Sequence, residues 1–267
     1  SALAAVGSTG NLTNLIVNFY VGLSTGASVV IAQYYGAQNN KKIHQAVHTS
    51  YILAIVSGIL MMLFGLFFSY QCLDAIGTPH DILNDATLYM QLYFLCMIPG
   101  AIYNIGAGIL RAVGDSKRPL YYLIVCSIVN VVFDFIFVVI FHQGIAGAAI
   151  ATVIAQSVCA ILVTIQLMRT NEVYKLTLSK MIFHLPVLKK IIMIGAPAGI
   201  QSTMYSISNI VLQSHINAFG TQTIASWSVY VKIDALFWMM IAAIGAAITT
   251  FAGQNYGAHL HDRIKKG

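Results

Sequence analysis

Charged residues are scarce in this chain: Asp, Glu, Lys and Arg make up 8% of its 267 residues, whereas hydrophobic residues make up 58%. The surface of a soluble globular protein needs far more charge than eight acids and fourteen bases provide. Together with a mean hydropathy of +0.78, this shortage predicts an all-α, polytopic membrane protein. The net charge of +6 is therefore not a nucleic-acid signal, and we expect a lipid bilayer around the chain and no nucleic-acid partner.

Cysteines and catalytic motifs are also few. The four cysteines show no Cys-x-x-Cys spacing, which argues against a disulfide framework or a metal site. The eight histidines are scattered without His/Glu metal spacing, and no nucleophile arrangement occurs, so we expect no enzyme, no metal and no cofactor. The chain does not open with a charged segment, a short apolar core and a small-residue cleavage site, so we expect no cleavable signal peptide.

Long apolar segments are what the chain does have. A membrane-spanning helix takes about 20 residues, and seven segments reach that length; we name them A to G, at 11–35, 45–72, 84–111, 119–141, 145–168, 190–217 and 225–252. Thirteen of the fourteen basic residues lie in alternate loops. The positive-inside rule places those loops in the cytoplasm and the start of the chain outside, and we expect a bacterial inner membrane.

One pentapeptide occurs twice. Gln33-Tyr34-Tyr35-Gly36-Ala37 returns as Gln254-Asn255-Tyr256-Gly257-Ala258, at an offset of 221 residues, so that A matches G. The repeat unit then spans six helices. Because six is an even number, both copies have the same orientation in the membrane. We interpret each copy as a helix terminator at the cytoplasmic side, which could also serve a gate.

This repeat predicts a twelve-helix parent made of two parallel six-helix lobes. Seven helices are present, so the chain would lack the first helix and the last four. The predicted domains are an N-terminal lobe at 1–168 (helices 2–6 of the parent), a cytoplasmic linker at 169–189, and the start of the C-terminal lobe at 190–267 (helices 7–8). Proline in a helix frees a carbonyl one turn earlier, so kinks are expected at Pro99-Gly100 and at Pro197.

Three stretches resemble the multidrug and toxic compound extrusion (MATE) transporters. LRAVGDSKRP at 110–119 is similar to the family's loop between its fourth and fifth helices, GIAGAAIAT at 144–152 to the opening of its sixth, and Gly195-Ala196-Pro197 to the start of its seventh. With the doubled pentapeptide, the likeness covers nearly the whole chain. Without the family, the first stretch predicts a turn and the second predicts close helix packing.

Only three charged side chains fall well inside the predicted spans: Asp134, Lys232 and Asp234. Asn130 lies four residues before Asp134 and shares its helix face, so the amide could hold the carboxylate. A carboxylate at membrane depth favours its neutral form and can act as a reversible proton acceptor. The resemblance implies that Asn130 and Asp134 contribute to cation coupling, together with an Asp on the first helix of the parent.

The second candidate group lies in the predicted C-terminal lobe. Asp234 could attract cationic substrates, whereas Lys232 could either line a central cavity or snorkel to the outer surface. Helix F has a polar face that could line a cavity or form interhelical hydrogen bonds, made by Gln201, Ser202, Ser206, Asn209 and Gln213. Tyr205 is a further cavity candidate on this helix. Tyr205 stands near the position where one branch of the family carries a Glu, which puts that branch's mechanism in doubt here.

The resemblance implies secondary active multidrug efflux: a monomeric transporter exchanging cationic or amphipathic small molecules for protons or sodium ions by alternating access. A flippase for lipid-linked precursors is an alternative, although its cavity should be basic. A seven-helix retinal protein using Lys232, with Asp134 as counter-ion, is another alternative. The A/G repeat, the basic linker and the position of Lys232 near one end of G oppose it.

Overall fold

The computed structural model describes the backbone of residues 2–75, 80–217 and 221–267 and most side chains from Val17 onward. Its described part is helical, and each of the seven predicted segments lies in helix, which confirms the all-α expectation. The elements are α1 (Ala2–Gly36), α2 (Asn40–Ala75), α3 (His80–Phe94), α4 (Met97–Ala112), α5 (Lys117–Asp134), a π-helical turn (Phe135–Ile140), α6 (Gly144–Arg169), a 3₁₀ turn (Leu178–Lys180), α7 (Leu185–Asn217), α8 (Thr221–Gly257) and α9 (His261–Lys266).

Helix length and composition support a membrane location. In the described residues, four helices are long and apolar enough to span a membrane by themselves, and a fifth span forms if the bent pair α3–α4 counts as one. The helices α1 and α7 are long as well, at 35 and 33 residues, but they carry more Asn, Ser and Gly. A helix of that kind is suited to face other helices or a watery cavity.

Predicted helix C is divided in two. α3 ends at Phe94 and α4 begins at Met97, with a 44° bend between them. Pro99 causes the break, because it has no N–H to bond the Leu95 carbonyl and its ring crowds that carbonyl. The bend therefore falls one turn before the proline, as its chemistry requires. Pro197, in contrast, lies within the continuous helix α7.

Predicted helix D ends differently from the expectation. α5 stops at Asp134, and the six residues that follow form a π-helical turn, a feature that often marks functional sites. The start of α6 packs against this turn at Gly147, where an added Cβ would lie 2.9 Å from the Cβ of Phe137. The small residues predicted for close packing therefore allow α6 to approach the turn directly after Asp134.

The centre of the bundle is α1, which packs against α2, α3 and α4 on one part of its surface and against α7 and α8 on another. A Cβ on Gly22 would overlap the backbone of Gly199, so the contact between α1 and α7 requires glycine. Farther out, large apolar side chains remain exposed, as on lipid-facing helices: Phe67 of α2 is 69% exposed, Val131 of α5 67% and Met239 of α8 68%.

The linker at 169–189 is fastened to α2. The buried side chain of His48 donates from Nδ1 to the carbonyl of His44 (2.7 Å) and accepts at Nε2 from the backbone N–H of Thr177 (3.1 Å). The backbone N–H of His184 donates to Thr49 Oγ1 (3.2 Å). These bonds hold two points of the linker, Thr177 and His184, against a single turn of α2.

Candidate functional site

The loops rich in Lys and Arg meet at one end of the bundle, which we call the basic end (37–42, 113–118, 169–190 and 258–267). The two copies of the pentapeptide lie there in direct contact. A Cβ on Gly36 would overlap the carbonyl of Gln254, and a Cβ on Gly257 would overlap the carbonyl of Gln33. Since these pairs exchange under the 221-residue offset, the contact is reciprocal, as expected for two elements related by a twofold axis.

The residue pair closest to that axis is Gly253 with its own equivalent, Ala32. A Cβ on Gly253 would lie 3.0 Å from the Cβ of Ala32. The helices α1 and α8 therefore cross at their last turns with backbones nearly touching. Glycine is needed at 36 and 257 because no side chain fits between the two helices.

The structure confirms that both helices end within the pentapeptide, but the glycine is not the residue that closes them. The helices do end at Gly36 and Gly257, but the left-handed residues that close them are Gln38 (φ 51°) and His259 (φ 59°), again 221 apart. The hydrogen bonds from Asn39 N–H to Tyr34 O and from Gln38 N–H to Tyr35 O complete a Schellman motif, and the second copy repeats this pattern. The glycines thus serve the contact between helices rather than the helix ends.

Side chains of α8 add hydrogen bonds across the same end. Gln254 Nε2 donates to the carbonyl of Ala112 (2.8 Å), and Thr250 Oγ1 donates to the carbonyl of Arg111 (3.4 Å). Both carbonyls belong to the last turn of α4, where helix carbonyls have no partner within the helix. The start of the predicted C-terminal lobe is thereby bonded to a helix of the predicted N-terminal lobe.

Tyr34 of the first pentapeptide lies between two lysines. The ammonium of Lys42 is 5.6 Å from the ring centre, and that of Lys190 is 5.5 Å from it. Lys42 follows the start of α2, and Lys190 lies near the start of α7. Cation–π contacts at exposed sites contribute about 0.5–1 kcal/mol each, so the ring helps to join these two helices.

Asp134 lies at the junction between α5 and the π-helical turn. Its Oδ1 atom is buried and has no hydrogen-bond partner among the described residues. The expected hydrogen bond from Asn130 does not form, although the two residues share a helix face. One oxygen of the Asp134 carboxyl group is thus buried without a hydrogen-bond partner among the described residues.

A cavity of about 140 Å³ lies inside the predicted N-terminal lobe, beside the break between α3 and α4. Its polar lining consists of Tyr20, Tyr93, Asn104, Thr152 and Gln156. These residues were not singled out from the sequence. Asn104 and Thr152 are polar residues within runs of small or apolar residues, and this contrast in the sequence could have identified them.

The candidates on α7 and α8 do not join Asp134 in one site. Gln201, Tyr205 and Asn209 are exposed on α7, and Tyr205 makes an edge-on contact with Trp238 of α8, with ring centres 5.4 Å apart. On α8, Lys232 is exposed and Asp234 partly exposed, and neither forms an ion pair within the described part of the chain. The exposed Lys232 does not provide the enclosed site that the retinal alternative needs.

One other polar residue of α7, Ser206, does pack against α1. Asn18 of α1 donates from Nδ2 to Ser206 Oγ (2.9 Å) next to the glycine contact between these helices. The sequence alone did not show that Ser206 packs against another helix whereas its neighbour Tyr205 is exposed. An interhelical hydrogen bond, one of the two readings of the polar face of helix F, therefore holds for Ser206.

The comparison with known proteins agrees with this architecture. A family profile described as MatE matches residues 1–136 and 197–266, far more than half of the chain. The chain belongs to the MatE family. A curated MatE relative, the probable multidrug resistance protein YoeA of Bacillus subtilis, is 29% identical over 274 aligned positions, which cover 99% of this chain and 59% of YoeA.

Solved structures give the same result for the fold. One, described as the outward-facing conformation of a multidrug resistance MATE family transporter, superposes with a TM-score of 0.93 at 26% identity, covering 99% of this chain and 59% of that one. Another, a MOP superfamily transporter from Pyrococcus furiosus described as having a binding pocket of reversed polarity, gives 0.91 at 26% identity, with 98% and 59% coverage. The MatE chain described here thus spans about three fifths of the length of these relatives.

Proposed function

We propose that the full-length transporter containing this chain expels cationic or amphipathic small molecules in exchange for protons or sodium ions. The observation that carries the proposal is Asp134, whose buried Oδ1 has no hydrogen-bond partner in the part of the chain that the structure describes. An ionised carboxylate in an apolar span is costly unless a cation or a polar partner compensates it. A proton or a sodium ion bound at Asp134 removes this cost, and its release drives exchange with a substrate cation.

Alternating access is the proposed mechanism, and the basic end is its closed side here. The crossing of Gly36 and Gly257, with the Gln254 hydrogen bond, shuts the space between α1 and α8 at that end. This closed end and the similarity to an outward-facing relative support a state open to the opposite side.

The orientation and surroundings belong to the same proposal. The basic end faces the cytoplasm of a bacterial cell, and the full-length protein works as a monomer in the inner membrane. Asp234, Lys232, Gln201, Tyr205 and Asn209 line the part of the substrate pathway that α7 and α8 provide. Their exposure in the described residues fits a surface completed by the additional length that the relatives possess.

The test is Asp134→Asn in the full-length transporter, reconstituted in vesicles and assayed for efflux of a cationic dye. We expect efflux driven by a proton or a sodium gradient to be lost, while dye binding to the detergent-solubilised protein is retained. Asp262→Asn, which removes an exposed carboxylate of α9, is the matched control. Unchanged gradient dependence in Asp134→Asn would show that the coupling role is wrong. Transport of an anionic lipid precursor without dye efflux would instead favour the flippase alternative.

A further inference from the structure

A second cavity, of about 630 Å³, opens at the basic end away from Asp134. It lies between the end of α1, the turn that connects α4 and α5, and the linker. Side chains that line it include Tyr35, Lys117, Arg118, Tyr121, Glu172 and Tyr174. Its volume falls within the range of about 300–1,000 Å³ that is usual for small-molecule sites. The proposed transport cycle assigns no role to this cavity.

The turn that forms one wall has a defined shape. Gly114 (φ 93°) closes α4 through hydrogen bonds from Gly114 N–H to Arg111 O (3.0 Å) and from Asp115 N–H to Leu110 O (2.9 Å). Asp115 Oδ1 then accepts from the backbone N–H of Arg118 (3.2 Å) at the start of α5. The LRAVGDSKRP stretch therefore forms a fixed wall, which presents the side chains of α5's first turn to the cavity.

The charges in the cavity are of both signs, and one pair is already satisfied. Arg118 Nη1 lies 3.1 Å from Asp115 Oδ2 in an ion pair. Lys117 and Glu172 have no ion-pair partner among the described residues. The cavity therefore offers one available cation and one available anion, a pattern that suits a zwitterion better than a simple anion.

The cavity is continuous with a lipid-facing surface. Tyr121, which lines it, is 59% exposed, and the exposed residues Val125, Ile128 and Val132 follow along the same face of α5. Tyrosine is enriched where a helix leaves the hydrocarbon for the headgroup region. A lipid could therefore lay an acyl chain along α5 and place its headgroup in the cavity.

We propose that this cavity binds the headgroup of phosphatidylethanolamine from the leaflet at the basic end, with the phosphate on Lys117 and the ammonium on Glu172. Basic pockets at this level of a membrane protein commonly hold lipid phosphates. Glu172 selects against phosphatidylglycerol, because the neutral glycerol of that headgroup brings no cation to compensate the carboxylate, whereas the ammonium of phosphatidylethanolamine does. The site belongs to the part of the chain described here and does not depend on the proposed transport function.

Native mass spectrometry of the full-length transporter, given equal amounts of phosphatidylethanolamine and phosphatidylglycerol, tests the site. We expect preferential retention of phosphatidylethanolamine. Lys117→Gln and Glu172→Gln should each weaken it by about two- to fivefold, the effect of losing one exposed charged contact. Lys175→Gln, on the linker but outside the cavity lining, and Asp262→Asn are the controls and should change nothing.

Glu172→Lys makes the test independent of folding defects, because it should reverse the preference towards phosphatidylglycerol rather than abolish lipid binding. Water-soluble glycerophosphoethanolamine tests whether the acyl chains contribute to binding. We expect it to compete poorly with the lipid, because it lacks the acyl contacts on α5. The proposal is overturned if the cavity variants match their controls, if Glu172→Lys keeps the original preference, or if the soluble compound competes as well as the lipid.

Discussion

Replacing Gly257 by alanine should open the basic end. The added Cβ would overlap the Gln33 carbonyl and lie 2.7 Å from its carbon, whereas ordinary contacts begin at 3.4 Å. Backbone cannot turn aside as a flexible side chain can, so α1 and α8 must separate. Overpacking of this kind costs about 1–3 kcal/mol.

This penalty of about 1–3 kcal/mol applies only while the two helices touch. It should therefore shift the balance between closed and open states about 5- to 150-fold towards opening at the basic end. Gly36→Ala should act in the same way, since the contact is reciprocal. The double variant should shift the balance by less than the sum, because the first methyl group already parts the helices.

Spin labels at Lys41 and Asp262, exposed positions related by the same offset, report the distance across the basic end by pulsed electron paramagnetic resonance in the full-length protein. We expect the longer-distance population to grow in Gly257→Ala. Gly245→Ala is the matched control, because the described residues leave open space around that glycine on the same helix. A distance distribution equal to that of Gly245→Ala would refute the tight crossing.

Two further variants test the packing around α1 and the linker. Ser206→Ala should lower the free energy of unfolding by about 0.6–1.7 kcal/mol, because it leaves the amide of Asn18 without its partner. Its control is Ser208→Ala, which loses only a bond within its own helix and should have little effect. His48→Phe keeps an aromatic ring but removes both hydrogen bonds of the imidazole, so hydrogen exchange of the linker should become at least about fivefold faster. His215→Phe is its control, and equal exchange in the two variants would exclude the anchoring role.

The helices could be predicted from the sequence because each depends on local chemistry. An apolar run of about 20 residues has few alternatives to a spanning helix, and the break before Pro99 follows from its missing N–H. The π-helical turn after Asp134 was not predicted, because a shift in hydrogen-bond register within an apolar run leaves no mark in composition. Its position beside a lone acid became visible only in the structure.

The candidate site was harder to predict because its contacts join distant parts of the chain. Gly36 and Gly257 look like helix-ending residues, and only the structure shows that each meets the backbone of the other repeat. Asn130 and Asp134 do share a face, but sharing a face does not align an amide with a carboxylate. The contact of Gln254 with Ala112 crosses 142 positions and has no local signature.

The reciprocal crossing at the basic end also bears on how such a chain could arise. Because Gly36 meets Gln254 while Gly257 meets Gln33, each half of the contact supplies the same two residue types in the same roles. A surface of this kind is self-complementary, so two identical half-length chains could form it as a homodimer before any gene duplication. Fusion would then preserve an existing contact instead of requiring a new one. After fusion, Gly36 and Gly257 still belong to one contact, so a larger residue at either position disturbs the packing of both halves.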